Sequence, residues 1–299
     1  MLIELKSSKK RGKISYNFRK YFILPIKILR VALVDTIRQD GVEHAGYLAF
    51  LSILSIFPFL IFLISIIGHF GGEQVGAKAI FNIINSLPKE VVESLMPRIA
   101  EIISGPPQSF LTLAIIGVIW TASSSVEGLR TILNRAYRVH LPPPYLLRRL
   151  ISIIEFFIIT FSITAVVMLF IIIPTFFTNT PIEILLNFFI NNKLPVLHKF
   201  TLFIFLTCSV SLLYYAIPNV KQKITKTFPG AVLTVILWTI TQKIFLYYLN
   251  QFDQFNLVYG SLAGIMIYLM FFYLLNVIFI LGAEFNHNFY RVYKIFLRN

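Results

Sequence analysis

One predicted helical face near the middle of the chain carries a carboxylate, a guanidinium and an amide in close succession. Glu127, Arg130 and Asn134 recur at intervals of three and four residues, which places them on one side of a helix. Glu127 and Arg130 have the spacing of an intrahelical ion pair. Such a pair can bind an anionic group or hold a proton, or it can be a solvated surface pair with no further role.

Two more glutamates are expected at the same depth. Like Glu127, Glu155 and Glu284 each border a long apolar run, and several arginines lie near these borders in the sequence. We predict that Arg130, Glu127 and Glu284 form a functional cluster with Glu155 at the same level; the alternative is a set of solvated charges. The arginines expected at this level are Arg130, Arg135, Arg148 and Arg149.

A second candidate is a polar face within the first apolar run. Ser52, Ser55 and Pro58 are spaced by three residues and share one side of a helix. Pro58 cannot donate a hydrogen bond to the carbonyl of Leu54, so a kink is expected there. Two roles are open for this face. Either it lines a substrate path, or its kink only improves helix packing.

Three further residues stand out inside apolar runs. Lys243 lies about 22 Å along a helix from Phe228, so its stem can extend to the far membrane interface; a buried pair or a substrate contact is the alternative. Gly260 and Gly264 have the G-x-x-x-G spacing that permits close helix packing.

Enzymatic motifs do not occur. The five histidines are scattered, and Glu284 with His287 forms only a single E-x-x-H pair. The sequence contains no H-E-x-x-H, no G-x-S-x-G and no phosphate-binding glycine loop. We therefore expect no catalytic residues, no metal and no cofactor.

The amino-acid composition indicates whether these residues lie in a water-soluble domain or in a membrane. Of 299 residues 57% are hydrophobic and 13% are charged, and mean hydropathy is +0.77, which excludes an ordinary soluble domain. We predict an all-α, polytopic membrane protein, a bundle of six transmembrane helices with interfacial amphipathic helices. The six apolar runs cover 45–68, 109–126, 156–177, 200–217, 228–250 and 256–283.

Basic residues predict the orientation of this bundle. The segments on the side of both termini hold 21 Lys and Arg, and those on the other side hold 5. The positive-inside rule then places both termini in the cytoplasm, and we expect no cleaved signal peptide. The net charge of +14 has the same origin, so no specific nucleic-acid partner is predicted.

The segments outside the spans divide the chain further. Residues 1–44 are a basic cytoplasmic segment with an interfacial helix over 21–34, and 284–299 are a cytoplasmic tail. Residues 45–283 form the six-helix domain. Its outer loop, 70–108, has amphipathic periodicity and either lids the bundle or covers helix ends.

Four segments in order along the chain resemble the YihY/BrkB family of bacterial inner-membrane proteins. The resemblance implies six spans with both ends inside. It also implies links to virulence and serum resistance, movement of lipid-like envelope precursors, and an old label of ribonuclease BN for part of the family. The segments are AGYLAFLSILSIFP, WTASSSVEGLRTILNRAYRV, PNVKQKITKTFPGA and YGSLAGIMIYLMFFYLLNVIFILGAEFN, which begin at residues 45, 120, 218 and 259.

The first functional hypothesis is a non-enzymatic inner-membrane protein that binds or translocates an anionic, amphiphilic envelope lipid. Its partners are then membrane lipids. The alternative is a scaffold in the cell envelope that contacts other envelope proteins or a second copy of this chain. The ribonuclease hypothesis has the least support, because no carboxylates or histidines converge as metal ligands.

Overall fold

The computed structural model describes residues 25–56, 111–140, 143–176, 195–251 and 262–298. Within these ranges the chain forms seven α-helices and one short 3-10 helix, with no strand, which confirms the all-α class. Helices α2 to α7 each overlap one predicted span. The elements are α1 (25–38), α2 (Gly41–Ile56), α3 (Leu111–Ala136), α4 (Tyr145–Phe176), α5 (Pro195–Ala216), the 3-10 helix (Ile224–Lys226), α6 (Phe228–Gln251) and α7 (Leu262–Arg298).

Two of the described helices are long and apolar enough to cross a bilayer. These segments are Phe228–Tyr248 in α6 and Met266–Val292 in α7, and shorter apolar helices cover Gly41–Ile56 and Leu202–Ala216. Crossing by six helices stays a prediction. Residues 1–24, the end of the first predicted span with Pro58, and the outer loop lie outside the described residues.

Prolines mark where several helices begin. Pro195 is the first residue of α5, Pro229 is the second residue of α6, and Pro144 directly precedes α4. A proline in the first turn sacrifices no helical hydrogen bond, because the first amides of a helix have no partner four residues earlier. The same residue type in the interior of a span would interrupt the helix.

Helix α3 ends in a left-handed turn at Arg138, where φ is 59°. The amide of Val139 donates to the carbonyl of Asn134 at 2.8 Å and the amide of Arg138 donates to that of Arg135 at 3.0 Å, the pair of bonds that closes a Schellman turn. Asp40, between α1 and α2, also has a positive φ, 55°. The left-handed conformation costs about 1 kcal/mol for a residue with a Cβ, so contacts elsewhere must hold both residues there.

Helix α7 is the element on which the others pack. Its Leu281 and Phe285 contact Ile28 and Ala32 of α1, while Ile280 packs with Ala45 and Leu48 of α2 and Ile132 of α3. Helices α6 and α7 are antiparallel, and their closest approach is at Gly230 and Gly282. The core is therefore built around the second half of α7.

Candidate functional site

Arg130 of α3 is buried, with 1% of its surface exposed, and its guanidinium joins three helices. Nε donates to Ser152 Oγ of α4 at 3.2 Å, and Nη1 donates to the carbonyl of Ile217 at the end of α5 at 2.9 Å. Nη2 donates to Glu155 Oε2. The predicted pair with Glu127 is present at 3.6 Å, inside the bundle and not on a solvated face.

Ser152 of α4 connects Glu127 and Arg130 of α3 by hydrogen bonds. It accepts from Arg130 and donates to Glu127 Oε2 at 2.8 Å. The contacts of Glu127 with Ser152, Arg130 with Glu155, and Ser124 with Arg149 all join residues 25 apart in sequence. Because this offset is constant, the contacts advance in the same direction along both helices, so α3 and α4 do not meet here as a simple antiparallel hairpin.

Two more arginines of α4 complete what we call the arginine cluster, formed by Glu127, Arg130, Arg148, Arg149, Ser152 and Glu155. Arg148 Nε lies 3.6 Å from Glu127 Oε1. Arg149, 4% exposed, donates to the carbonyl of Trp120 and to Ser124 Oγ, and its guanidinium lies 4.1 Å from the centre of the Trp120 ring. Three arginines face two glutamates, so the cluster has one excess positive charge.

The arginine cluster also contains polar atoms that are buried without a hydrogen-bond partner. Across the described residues these side-chain atoms are Glu127 Oε1, Arg148 Nε and Arg149 Nε, and all three belong to this cluster. Arg149 is further distinguished because no ion pair with a carboxylate is found for it among the described residues. A buried cation without a carboxylate partner is costly, and the Trp120 carbonyl, Ser124 Oγ and the Trp120 ring are the groups that stabilise this one.

Glu284, which was predicted to cluster with Arg130, is paired in the structure with a different arginine. It binds Arg138 through two hydrogen bonds of 2.8 and 3.0 Å, and Arg138 also lies 3.5 Å from Asp35 of α1. Asn288 Nδ2 donates to the same Asp35 carboxylate at 2.9 Å. The sequence could not give the rotation of α7 that turns this carboxylate toward Arg138.

The other predicted polar residues lie away from the arginine cluster. They are Asn134, Lys243 and the serine face of α2. Asn134 forms a reciprocal pair with Asn219, with its Nδ2 donating to Oδ1 at 2.9 Å and its Oδ1 accepting from the amide nitrogen at 2.7 Å. Lys243 is exposed on α6. Asn134 therefore fastens the end of α3 to the segment after α5, and the interfacial role of Lys243 stays a prediction.

The serine face of α2 packs against α3. Ser125 Oγ lies 2.8 Å from Ser55 Oγ and 2.9 Å from the carbonyl oxygen of Leu51, while Ser52 donates to the carbonyl of Leu48 in its own helix. The hydroxyl groups thus join two helices at half-buried positions. Pro58, the third member of the predicted face, lies outside the described residues, so a substrate path along it stays a prediction.

A neutral contact between α5, α6 and α7 was missed by the sequence analysis. Tyr214 donates to the carbonyl of Phe279 at 2.6 Å and lies 2.8 Å from Thr234 Oγ1, while the amide of Gly230 donates to Asn286 Oδ1 at 2.6 Å. A glycine inside a long helix is the only sequence signal for it. The predicted glycine pair falls elsewhere: Gly260 and the surroundings of Gly264 lie outside the described residues.

Tyr137 borders this neutral contact just beyond the end of α3. Its hydroxyl accepts from Asn286 Nδ2 at 3.3 Å. Burial raises the pKa of Tyr137 to about 12, so the phenol is un-ionised at physiological pH. The hydrogen bond is therefore insensitive to pH near neutrality.

Comparison with known proteins identifies the family. A sequence model of the family described as virulence factor BrkB matches residues 32–294. The chain belongs to this family. No solved structure matches the chain.

Individual BrkB relatives match over parts of their length. A protein of Bacillus subtilis named putative ribonuclease-like protein YfkH is 29% identical over 59% of this chain and 64% of its own length. A UPF0761 membrane protein of Vibrio campbellii is 36% identical over 24% of this chain and 23% of its own, and one of Prosthecochloris aestuarii is 34% identical over 31% and 20%. The chain thus spans less than two thirds of each of these relatives.

Membership and the names of the relatives support an integral membrane protein. The names do not describe a substrate. The Bacillus relative carries a ribonuclease-like name, while the family description and the names of the Vibrio and Prosthecochloris relatives contain no catalytic activity.

Proposed function

We propose that this BrkB-family protein is a non-enzymatic membrane protein that binds an anionic, amphiphilic envelope lipid at the arginine cluster and moves it between leaflets. One observation carries the proposal: Arg149 is buried with no carboxylate partner among the described residues, and its Nε has no hydrogen-bond acceptor there. Burying a charge without a counter-ion costs several kcal/mol, and an anionic headgroup would offset that cost.

Arginine suits this role because its guanidinium presents donors in a planar fork that matches a phosphate or carboxylate. The side chains of Arg148 and Glu155 are each 18% exposed, so the cluster has an opening at the protein surface. A headgroup entering there would first meet Arg148 and Glu155, and it would reach the buried Nε of Arg149 once these side chains move aside. The site therefore fits a group with at least one negative charge and two acceptor oxygens.

The amphiphilic part of the proposal comes from the outer face of α4. Leu146, Leu150 and Ile154 are exposed at spacings of four residues, and Arg148 and Arg149 lie between them in sequence. An apolar stripe exposed to solvent would be unfavourable, whereas in a bilayer it contacts lipid chains. A lipid with its headgroup in the cluster could leave its acyl chains along this stripe.

The test is reconstitution into phosphatidylcholine vesicles that contain fluorescent phosphatidylglycerol. We expect the wild-type protein to bind the labelled lipid and to speed its exchange between leaflets. Arg149→Gln should abolish both effects, while Arg135→Gln, at a position 43% exposed and paired with Asp40, is the matched control and should retain them. Binding and exchange unchanged in Arg149→Gln would reject the cluster as the site.

The same experiment separates the lipid hypothesis from the scaffold hypothesis, since a scaffold should neither bind nor redistribute the labelled lipid. The ribonuclease-like name of the Bacillus relative suggests a different assay. In this chain Glu127 and Glu155 are paired with arginines, an arrangement that opposes the binding of a catalytic cation. We expect purified protein to leave RNA intact with Mg²⁺ or Mn²⁺ present, and cleavage above that of a mock purification would contradict this.

We further propose an inner-membrane location with both termini in the cytoplasm. The support is the distribution of basic residues along the chain. Single cysteines in a Cys208→Ser background should react with an impermeant reagent at Gln74 and Lys193 in intact spheroplasts. Those at His140, Lys223 and Asn299 should react only after permeabilisation, and labelling of Asn299 from outside would reject the six-span topology.

A further inference from the structure

We propose that the segment between α5 and α6 docks on anionic headgroups of the cytoplasmic leaflet, at a surface separate from the arginine cluster. This segment, residues 217–227, is called the connector; it contains three lysines and no carboxylate. It ends directly before Phe228, the first residue of a segment that is long and apolar enough to cross a bilayer. Where α6 enters the membrane, the connector lies at the level of the headgroups. The inference uses the proposed orientation of the chain but not the proposed lipid site.

The connector is held in place by hydrogen bonds to α5 and α7. Gln222 Nε2 donates to the carbonyl of Tyr214 at 2.8 Å. Thr227 Oγ1 lies 2.7 Å from Ser211 Oγ, and the Thr227 carbonyl accepts from Asn286 Nδ2 at 3.0 Å. Because its backbone is already fixed at these points, the connector loses little conformational entropy when its exposed side chains bind a partner.

Two of the three lysines of the connector have no internal counter-ion. The backbone at Lys223 is extended, with φ −85° and ψ 142°, and successive side chains of an extended chain point to opposite sides. Gln222 points inward, and Lys221 and Lys223 on either side of it are exposed. Neither lysine forms an ion pair within the part of the chain that the structure describes. Lys226 differs, since its ammonium lies 3.4 Å from the centre of the Tyr290 ring.

Exposed apolar side chains beside these lysines favour a lipid surface over a soluble polyanion. Ile224 is 49% exposed and Phe228 is 50% exposed. A nucleic acid bound to Lys221 and Lys223 would leave both apolar groups in water. A membrane interface instead places the ammonium groups among headgroups and the apolar groups among the upper acyl chains. The combination therefore fits an anionic lipid surface.

The test reads the lipids that lie next to the connector itself. Full-length protein with Cys208→Ser and Thr225→Cys carries a fluorophore at position 225, an exposed site, in phosphatidylcholine nanodiscs. The nanodiscs contain a small fraction of either phosphatidylglycerol or phosphatidylcholine with a nitroxide on the acyl chain. We expect stronger quenching by the phosphatidylglycerol probe, with an enrichment of up to about fivefold per lysine. High salt should reduce this preference.

Four variants separate the contributions. Joint Lys221→Gln and Lys223→Gln substitutions should make the two probes quench equally, whereas joint Lys221→Arg and Lys223→Arg substitutions should keep the preference, because the charge is retained. Ile224→Gln should lower quenching by both probes. Arg149→Gln is the control for the arginine cluster and should keep the preference, since the two surfaces are separate.

Several results would overturn the proposal. Absence of quenching by both probes would show that the connector does not reach the bilayer. Equal quenching in the wild type would remove the preference for anionic lipid, and binding of fluorescent oligouridylate through the same two lysines would then assign the surface to a soluble polyanion. A preference that survives the double glutamine variant, or that disappears in Arg149→Gln, would reject the assignment to the connector.

The two lipid proposals can fail independently. If the vesicle assay shows no lipid exchange while the quenching preference depends on Lys221 and Lys223, the proposed function is rejected and the docking surface is supported. If exchange depends on Arg149 while quenching shows no preference, the reverse holds.

Discussion

Two of the polar contacts in this bundle differ in whether their polar groups are hydrogen-bonded. The contact of α5, α6 and α7 is neutral, and Tyr214, Thr234, Gly230 and Asn286 bond to one another or to carbonyls. The arginine cluster between α3 and α4 is ionic and contains every unpartnered buried side-chain atom found among the described residues. The polar groups of the neutral contact are hydrogen-bonded, whereas the ionic contact leaves two arginine nitrogens and one glutamate oxygen without a hydrogen bond.

The largest effect should come from Arg130→Met, which removes the guanidinium that joins Glu127 and Glu155. The buried Glu127 and the half-buried Glu155 would then lose their shared partner, at a cost of about 3 to 5 kcal/mol of unfolding free energy. Thermal unfolding in detergent should show this loss. Adding Glu127→Gln and Glu155→Gln to the same chain should restore most of the stability, and a triple variant as unstable as the single one would contradict the ionic explanation.

Arg130→Lys tests whether lipid binding needs the guanidinium of this residue or only its positive charge. Lysine keeps the charge but lacks the planar fork, so lipid binding should be only partly retained. Complementation of an envelope-stress phenotype at matched protein levels would serve as the cellular measurement. Full complementation by Arg130→Lys and Arg130→Ala alike would show that this residue has no functional role.

The next largest effect tests the neutral contact, by Gly282→Ala. A Cβ at this position would lie 2.0 Å from Thr234 Oγ1 and 2.4 Å from the Tyr214 hydroxyl, so α6 and α7 must move apart. Overpacking of this kind costs about 1 to 3 kcal/mol. Thermal unfolding should show the loss, and Thr234→Ala in the same chain should recover part of it. Wild-type stability of Gly282→Ala would mean that the two helices are not so closely packed.

A smaller effect is expected for Tyr214→Phe. The substitution keeps the ring against Phe279 but removes the hydrogen bond from the hydroxyl to the Phe279 carbonyl, a loss of about 1 kcal/mol. Lipid binding should be unaffected, since this tyrosine is not part of the arginine cluster. Reduced lipid affinity at full stability would show that the two contacts are coupled.

The smallest effect should be that of Arg135→Gln. Its pair with Asp40 is exposed, with 43% and 47% of the two side chains accessible, and exposed pairs contribute at most about 1 kcal/mol. The unfolding midpoint should barely move. A loss as large as that of Arg130→Met would show that burial does not separate the two pairs.

These outcomes depend on features that the sequence could predict to different degrees. The pair of Glu127 with Arg130 was predictable because both residues lie on one helix, where spacing alone fixes their proximity. The position of Glu155 near Glu127 and Arg130 along the bundle was predictable because Glu155 borders an apolar run. The partner of Glu284 was not, because Arg138 is 146 residues away and the contact depends on how two helices are rotated against each other.

Gly230 and Gly282 show a second limit of prediction from the sequence. The G-x-x-x-G pattern drew attention to Gly260 and Gly264, while the close approach that the structure describes is made by Gly230 and Gly282, one from each of two helices. A motif within one helix can be recognised in a sequence. A pair of small residues on separate helices becomes visible only when the helices are placed side by side.

The position of α7 has a consequence for biosynthesis. Asn288 of α7 donates a hydrogen bond to Asp35 of α1, and Glu284 accepts one from Arg138, just after α3. The Phe279 carbonyl of α7 accepts a hydrogen bond from Tyr214 of α5. A ribosome delivers these partners after α1, α3 and α5, so the polar groups of those helices stay unmatched until α7 is made. A chain stalled before α7 should therefore be an early substrate for membrane quality-control proteases, and assembly should finish in one late, cooperative step.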